Sequence, residues 1–173
     1  MRHALIVGGQ GVGKSTLIAR VRRELALPEA GIETVRETAL AEDRGAPVYI
    51  YRVGCPRTRG QENLAAFVGG KGRRSFPETF DRYAAFLKED CARAGLIVLD
   101  ELGFLESDAA TFCGTVLDLL DGDIPVLAAV KPKDTPFLAA VRHHPKAEIF
   151  TVDESNRDVL AGQVLAFLRG QLN

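Results

Sequence analysis

Ala4-Leu5-Ile6-Val7-Gly8-Gly9-Gln10-Gly11-Val12-Gly13-Lys14-Ser15-Thr16-Leu17 is the stretch on which the fold turns. Its first four residues are an unbroken apolar run, which predicts a buried strand. From residue 14 to 26 the period changes: Leu17, Ile18, Val21 and Leu25 share one helical face, with Arg20, Arg23 and Glu24 opposite. Between strand and helix, Gly8, Gly9, Gln10, Gly11, Val12, Gly13, Lys14 and Ser15 match G-x-x-x-x-G-K-[ST] without a mismatch. The glycines let successive backbone N–H groups converge on phosphate oxygens, and the helix N-terminus adds partial positive charge. In this arrangement Lys14 bridges the β- and γ-phosphates, Ser15 offers a hydroxyl to Mg²⁺, and Thr16 reaches the α-phosphate. A nucleoside triphosphate with Mg²⁺ is the ligand that such a loop implies.

Working outward, apolar runs alternate with helical patterns, the signature of parallel βαβ construction. Strands are expected at residues 32–37, 48–53, 96–99, 125–130 and 148–152. Helices are expected at 77–94, from a Ser107 cap to 120, from Thr135-Pro136 onward, and from a Ser155 cap to about 170. Residues 54–75 are rich in glycine and arginine and read as an irregular basic segment, with a short strand near 64–68. The fold class that follows is α/β: a three-layer, RecA-like P-loop domain with a mainly parallel central sheet and helices on both faces. One domain spans residues 1–173.

The second motif is Leu96-Ile97-Val98-Leu99-Asp100-Glu101, four apolar residues and then two acids. In a parallel sheet it delivers Asp100 to the carboxyl edge where the first strand delivers its loop. Mg²⁺ keeps most of its waters, so Asp100 beside Ser15 is an adequate protein share of its shell. Glu101, one residue on, reaches the γ-phosphate side and orients or deprotonates the attacking water. The long stretch between Lys14 and Asp100 leaves room for other strands between the two motif-bearing strands. That suits the P-loop branch with an inserted strand and a catalytic Glu.

Composition sets limits. The 173 residues are 46% hydrophobic and 26% charged with a formal net charge of −1, so nothing global draws the chain to nucleic acid or an anionic membrane. The apolar start is too short for a transmembrane span and lacks a cleavage region, which points to a cytoplasmic protein. Cys55, Cys91 and Cys113 are widely spaced and read as reduced thiols.

Three blocks in order, residues 8–17, Asp100-Glu101-Leu102-Gly103-Phe104-Leu105-Glu106 and Thr151-Val152-Asp153-Glu154-Ser155-Asn156-Arg157, resemble the small nucleoside-triphosphatases typified by the thermophile enzyme and the human cancer-related nucleoside-triphosphatase. Gly31-Ile32-Glu33-Thr34 and Glu37 are similar to that family's second-strand segment. The resemblance implies a monomeric domain that slowly hydrolyses several NTPs with Mg²⁺, with little base selectivity. Phe104-Leu105 stands where the family usually has Lys-Met, and Gly70-Lys71-Gly72-Arg73-Arg74 stands where it tends to an apolar strand.

Further candidates are an arginine finger among Arg57, Arg59, Lys71, Arg73 and Arg74, set against the reading of a solvated flexible loop. Glu106 bonds loop amides, sits around the magnesium site behind its direct ligands, or is a plain helix-start acid, and Asn156-Arg157 line a base and sugar pocket or form a surface turn. His143 and His144 are surface residues. Three functions remain distinguishable: an NTP phosphohydrolase, a nucleotide or small-molecule kinase, and a nucleotide-dependent switch or assembly module.

Overall fold

The computed structural model describes residues 2–70 and 72–172. Its centre is an eight-stranded sheet. In chain order the strands are β1 (His3–Val7), β2 (Glu29–Arg36), β3 (Ala46–Arg52), β4 (Leu64–Gly69), β5 (Gly72–Ser75), β6 (Leu96–Leu102), β7 (Val126–Val130) and β8 (Ala147–Thr151). Across the sheet the order is β5-β4-β3-β2-β6-β7-β1-β8. From β2 to β8 all neighbours run parallel, whereas β3, β4 and β5 form an antiparallel extension beyond β2.

Alternation along the parallel strands builds the three layers. Ala4 and Ile6, Leu96 and Val98, and Leu127 and Ala129 face α1 (Lys14–Leu25) and α5 (Arg157–Leu172). The intervening residues, among them Leu5, Ile97, Leu99 and Ala128, face α2 (Pro77–Cys91), α3 (Ala110–Asp121) and α4 (Pro136–Arg142). Strands covered on both sides have no polar face, which is why they read as unbroken apolar runs. Burial of Phe80 against Phe112, ring centroids 5.5 Å apart and tilted by 60°, locks α2 to α3.

The strand between the two motif-bearing strands is β7, which follows both of them in the chain. The residues between Lys14 and Asp100 instead build β2 to β5 on the far side of β6, so the strand between the two motifs comes from later in the chain than the expected segment. The segment 54–75 is also more ordered than expected. After a 3₁₀ turn at Gln61–Asn63 it forms β4 and β5, with Ala66↔Ser75 and Gly69↔Gly72 in register.

Two helix caps differ from expectation. The helix expected from Ser107 begins at Ala110, and the Ser107 hydroxyl is buried without a partner. Asp81 of α2 accepts from the Phe112 N–H at 2.9 Å, so a neighbouring helix supplies the cap. At α5, Asn156 precedes the first turn and its carbonyl accepts from Leu160 N, while Ser155 donates its hydroxyl to Asp153. Among the described residues no helix is long and apolar enough to cross a membrane.

Candidate active site

Because β1, β6, β7 and β8 are mutually parallel neighbours, the segments leaving their carboxyl ends gather along one edge of the sheet. These are the glycine loop, Asp100-Glu101, Lys131 and residues 153–157.

The loop reaches α1 through Gly13, whose φ of +96° is open to glycine and strained for other residues. No side chain caps α1 and its first turn holds no acid, so its leading N–H groups are left for an anion. A Cβ on Gly13 would stand 2.5 Å from the Arg157 Cδ, which puts that side chain against the loop. Asn156, its sequence neighbour, has a different job: its amide group accepts from Asp153 N and donates to the Thr151 carbonyl, holding the turn after β8.

Lys14 is only 6% exposed. Its ammonium donates back to the Gly8 and Gly9 carbonyls at 2.9 and 2.6 Å and lies 3.0 Å from Glu101 Oε2. The other oxygen of Glu101 lies 3.0 Å from the Lys131 ammonium. One carboxylate is therefore held between two cations, one opening α1 and the other directly following β7.

Asp100 faces helix α1: the Ser15 hydroxyl donates to its Oδ1 at 3.0 Å. Burial raises the Asp100 carboxyl above its ordinary value, against the lowering effect of the Ser15 hydrogen bond. Two hard oxygen donors meet here, and no cluster of three or more His, Cys, Asp or Glu is present among the described residues. Such a set suits a Mg²⁺ ion that keeps its waters and takes substrate phosphate oxygens.

The backbone explains how adjacent residues serve different ends of the site. On β7 the register steps from Ala128 to Val130 while on β6 it steps from Leu99 to Leu102, so β6 carries one extra residue at the acidic pair. The Asp100–Glu101 peptide bond is cis. Thr34 of β2 grips this bulge, its hydroxyl accepting from Glu101 N at 3.1 Å and donating to Glu101 O at 3.2 Å.

Glu106 proves to be an interior group. It is 3% exposed, lines the site and accepts from Gly103 N, and burial pushes its carboxyl up to about 7. The basic segment is irregular and exposed over residues 54–59 and a strand over 72–75, and its arginines have partners. Arg57 pairs with Glu33, Arg59 with Glu37, Arg73 lies over the Phe104 ring and Arg74 over Phe76. Lys71 lies outside the described residues.

Burial pushes the thiols of Cys91 and Cys113 up to about 12, and Cys55 is exposed. His144 stands 3.2 Å from Asp121 with its side chain largely covered, while His143 is exposed.

Lys131 and Thr34 were not singled out as site residues by sequence reasoning. Lys131 had a signal: it directly follows the buried strand 125–130, so it emerges on the same edge as both motifs. Thr34 gave none beyond its place in a strand.

Comparison with known proteins places this geometry in context. The model of the NTPase family matches residues 60–165. A protein of Methanosarcina acetivorans named nucleoside-triphosphatase THEP1 is 28% identical over 98% of each chain. One of the same name from Thermotoga maritima is 27% identical, over 95% of this chain and 94% of its own. The crystal structure of THEP1 from Aquifex aeolicus superposes with a TM-score of 0.68 at 21% identity, covering 96% of this chain and 98% of that one. The solution structure of a human cancer-related nucleoside triphosphatase gives 0.68 at 22%, covering 98% of each. These structures share the fold.

Proposed function

The chain belongs to the NTPase family, and on that premise we propose that it hydrolyses nucleoside 5′-triphosphates to diphosphate and phosphate with Mg²⁺. The observation that carries the reading is the position of Glu101, one oxygen beside the phosphate-loop lysine and the next residue back, Asp100, bonded to Ser15.

In this reading Gly8 to Ser15 wrap the polyphosphate tail with backbone N–H groups, and Thr16 adds a hydroxyl toward the α-phosphate. The Lys14 ammonium exchanges its bonds to the Gly8 and Gly9 carbonyls and to Glu101 for bonds to the β- and γ-phosphate oxygens. Ser15 and Asp100 are the protein's share of the Mg²⁺ shell. Bound there, the ion neutralises phosphate charge as a Lewis acid. Glu101, held in place by Lys131 and by the Thr34 grip on its backbone, accepts a proton from the attacking water. The new bond forms from the water oxygen to the γ-phosphorus. The bond from that phosphorus to the β–γ bridging oxygen breaks, and the diphosphate leaves with the electron pair. Charge developing on the γ-oxygens meets Lys14 and the N-terminal amides of α1.

The test is free-phosphate release from each common NTP with Mg²⁺, for the native chain and for Glu101→Gln. Loss of a positioned general base lowers turnover by about 10²–10⁴-fold. Nucleotide affinity persists, because Gln leaves the cradle intact and frees Lys14 of a competing carboxylate. Release at native rates in the variant, or none from the native chain, defeats the assignment. Lys14→Ala, by contrast, weakens binding itself.

A further inference from the structure

A cavity of about 510 Å³ opens beside the phosphate loop, touching it at Gly9 and Gln10 and bounded by Glu101. The proposed hydrolysis uses its edge at Gly9, Gln10, Thr34, Glu101 and Lys131 and leaves the rest of the space unexplained. That volume falls within the range of sites for small organic molecules.

Its lining is of two kinds. Val48, Val68, Phe80, Phe104 and Leu105 supply apolar surface, including the aromatic ring of Phe104. Arg36, Lys131 and Lys133 supply positive charge. Lys131 is committed to Glu101. Arg36 donates to the Val68 carbonyl at 3.0 Å, and neither it nor Lys133 has a carboxylate partner among the described residues. Two cations thus lie at the mouth of an apolar pocket without counter-ions.

The acids that line the pocket do not cancel them. Glu101 is already balanced by two ammonium groups, and burial favours the protonated form of Glu106. Even with both acids charged, the lining has three cations against two carboxylates.

We propose that this cavity is a second ligand site, separate from the phosphate cradle, which takes a small molecule with a planar apolar body and one oxyanion group. The flat body lies against Phe80 and the aliphatic wall of Val48, Val68 and Leu105, since Arg73 and Lys131 lie over the Phe104 ring, and the oxyanion meets Arg36 and Lys133. Nothing in this assignment depends on how the neighbouring site treats a triphosphate.

Phenyl phosphate is a suitable probe, followed by methyl and amide NMR on the full-length chain. Its addition at millimolar concentration is expected to shift the methyls of Val48, Val68 and Leu105, leaving the Gly11 and Gly13 amides in place. The double variant Arg36→Met, Lys133→Met removes two exposed charges and keeps the fold. It is expected to weaken the affinity about tenfold or more, the loss of two charge-assisted contacts. Val68→Phe fills the pocket with both cations intact and is expected to abolish binding. In Ser15→Ala, which touches neither the cavity nor Glu101, Mg²⁺-triphosphate affinity falls while phenyl phosphate binding stays, which separates this site from the cradle. The proposal is overturned if phenyl phosphate does not bind, if its shifts are confined to residues 8–16, or if the double variant binds it unchanged. Equal affinity for inorganic phosphate or for benzyl alcohol also overturns it, since then either the ring or the charge is not recognised.

Discussion

Replacing Glu106 by Gln removes an acid from the interior and keeps a carbonyl that can accept the Gly103 N–H. The cost of that acid can be worked from its surroundings. Burial is the largest influence on it. The Gly103 N–H and the charge of Lys131 act in the opposite direction, and Glu101 acts with burial. The carboxyl moves from 4.5 in the unfolded chain to about 7 in the folded one. At about 1.4 kcal/mol per tenfold, the folded chain holds the proton about 3 kcal/mol more tightly. The sign then follows from proton counting. Below pH 4.5 both states are protonated and Glu106 does not disfavour folding. Between pH 4.5 and about 7 the unfolded chain releases its proton while the folded chain keeps it, so stability falls as pH rises. Above about 7 the full penalty of about 3 kcal/mol applies and no longer changes.

The Gln variant lacks this dependence. Urea unfolding followed by circular dichroism at a series of pH values should show the two proteins nearly equal at low pH, with the variant about 3 kcal/mol more stable at pH 8. In thermal melts at pH 8 that corresponds to about 6–12 °C. Comparing the two proteins cancels every other titrating group. A stability gap that is the same at all pH values would refute the reasoning, because it would trace the effect to packing and not to charge.

Other substitutions probe the frame and the metal-binding pair. Gly31 has a φ of +137°, and a Cβ there would meet the Val98 carbonyl oxygen at 1.9 Å, so Gly31→Ala should force β2 away from β6 and cost several kcal/mol in urea unfolding. Retention of native stability would mean that the two strands are not so closely apposed. Asp100→Asn keeps the Ser15 contact but removes the charge beside it, so Mn²⁺ binding in the presence of an ATP analogue, read by electron paramagnetic resonance, should weaken about tenfold or more. Unchanged Mn²⁺ affinity would remove Asp100 from the proposed shell.

The central strands were legible because burial on both faces writes a continuous apolar run, as at residues 4–7 and 96–99. The phosphate loop was legible because its backbone conformation admits few residues other than glycine. β5 was not, since Gly72-Arg73-Arg74-Ser75 carries no apolar pattern. Its order comes from pairing with β4 and from arginines lying on Phe104 and Phe76, contacts distant or ambiguous in sequence. Ser107 has the chemistry of a cap, yet Asp81 supplies the one that α3 uses, because tertiary packing put a better acceptor in reach. The pairing of Lys131 with Glu101 depends on β7 lying next to β6, an order in the sheet that no local pattern records.

The way Lys14 rests has a bearing on which anions the loop admits. Its ammonium is already satisfied by the Gly8 and Gly9 carbonyls and by Glu101, so an arriving ligand must compete with a closed internal circuit. A lone phosphate offers too few bonds to break that circuit and also fill the loop, whereas a chain of three can hold the loop amides with one end and draw the lysine with the other. The contacts that keep the loop in shape therefore favour a long polyphosphate tail over a single phosphate group.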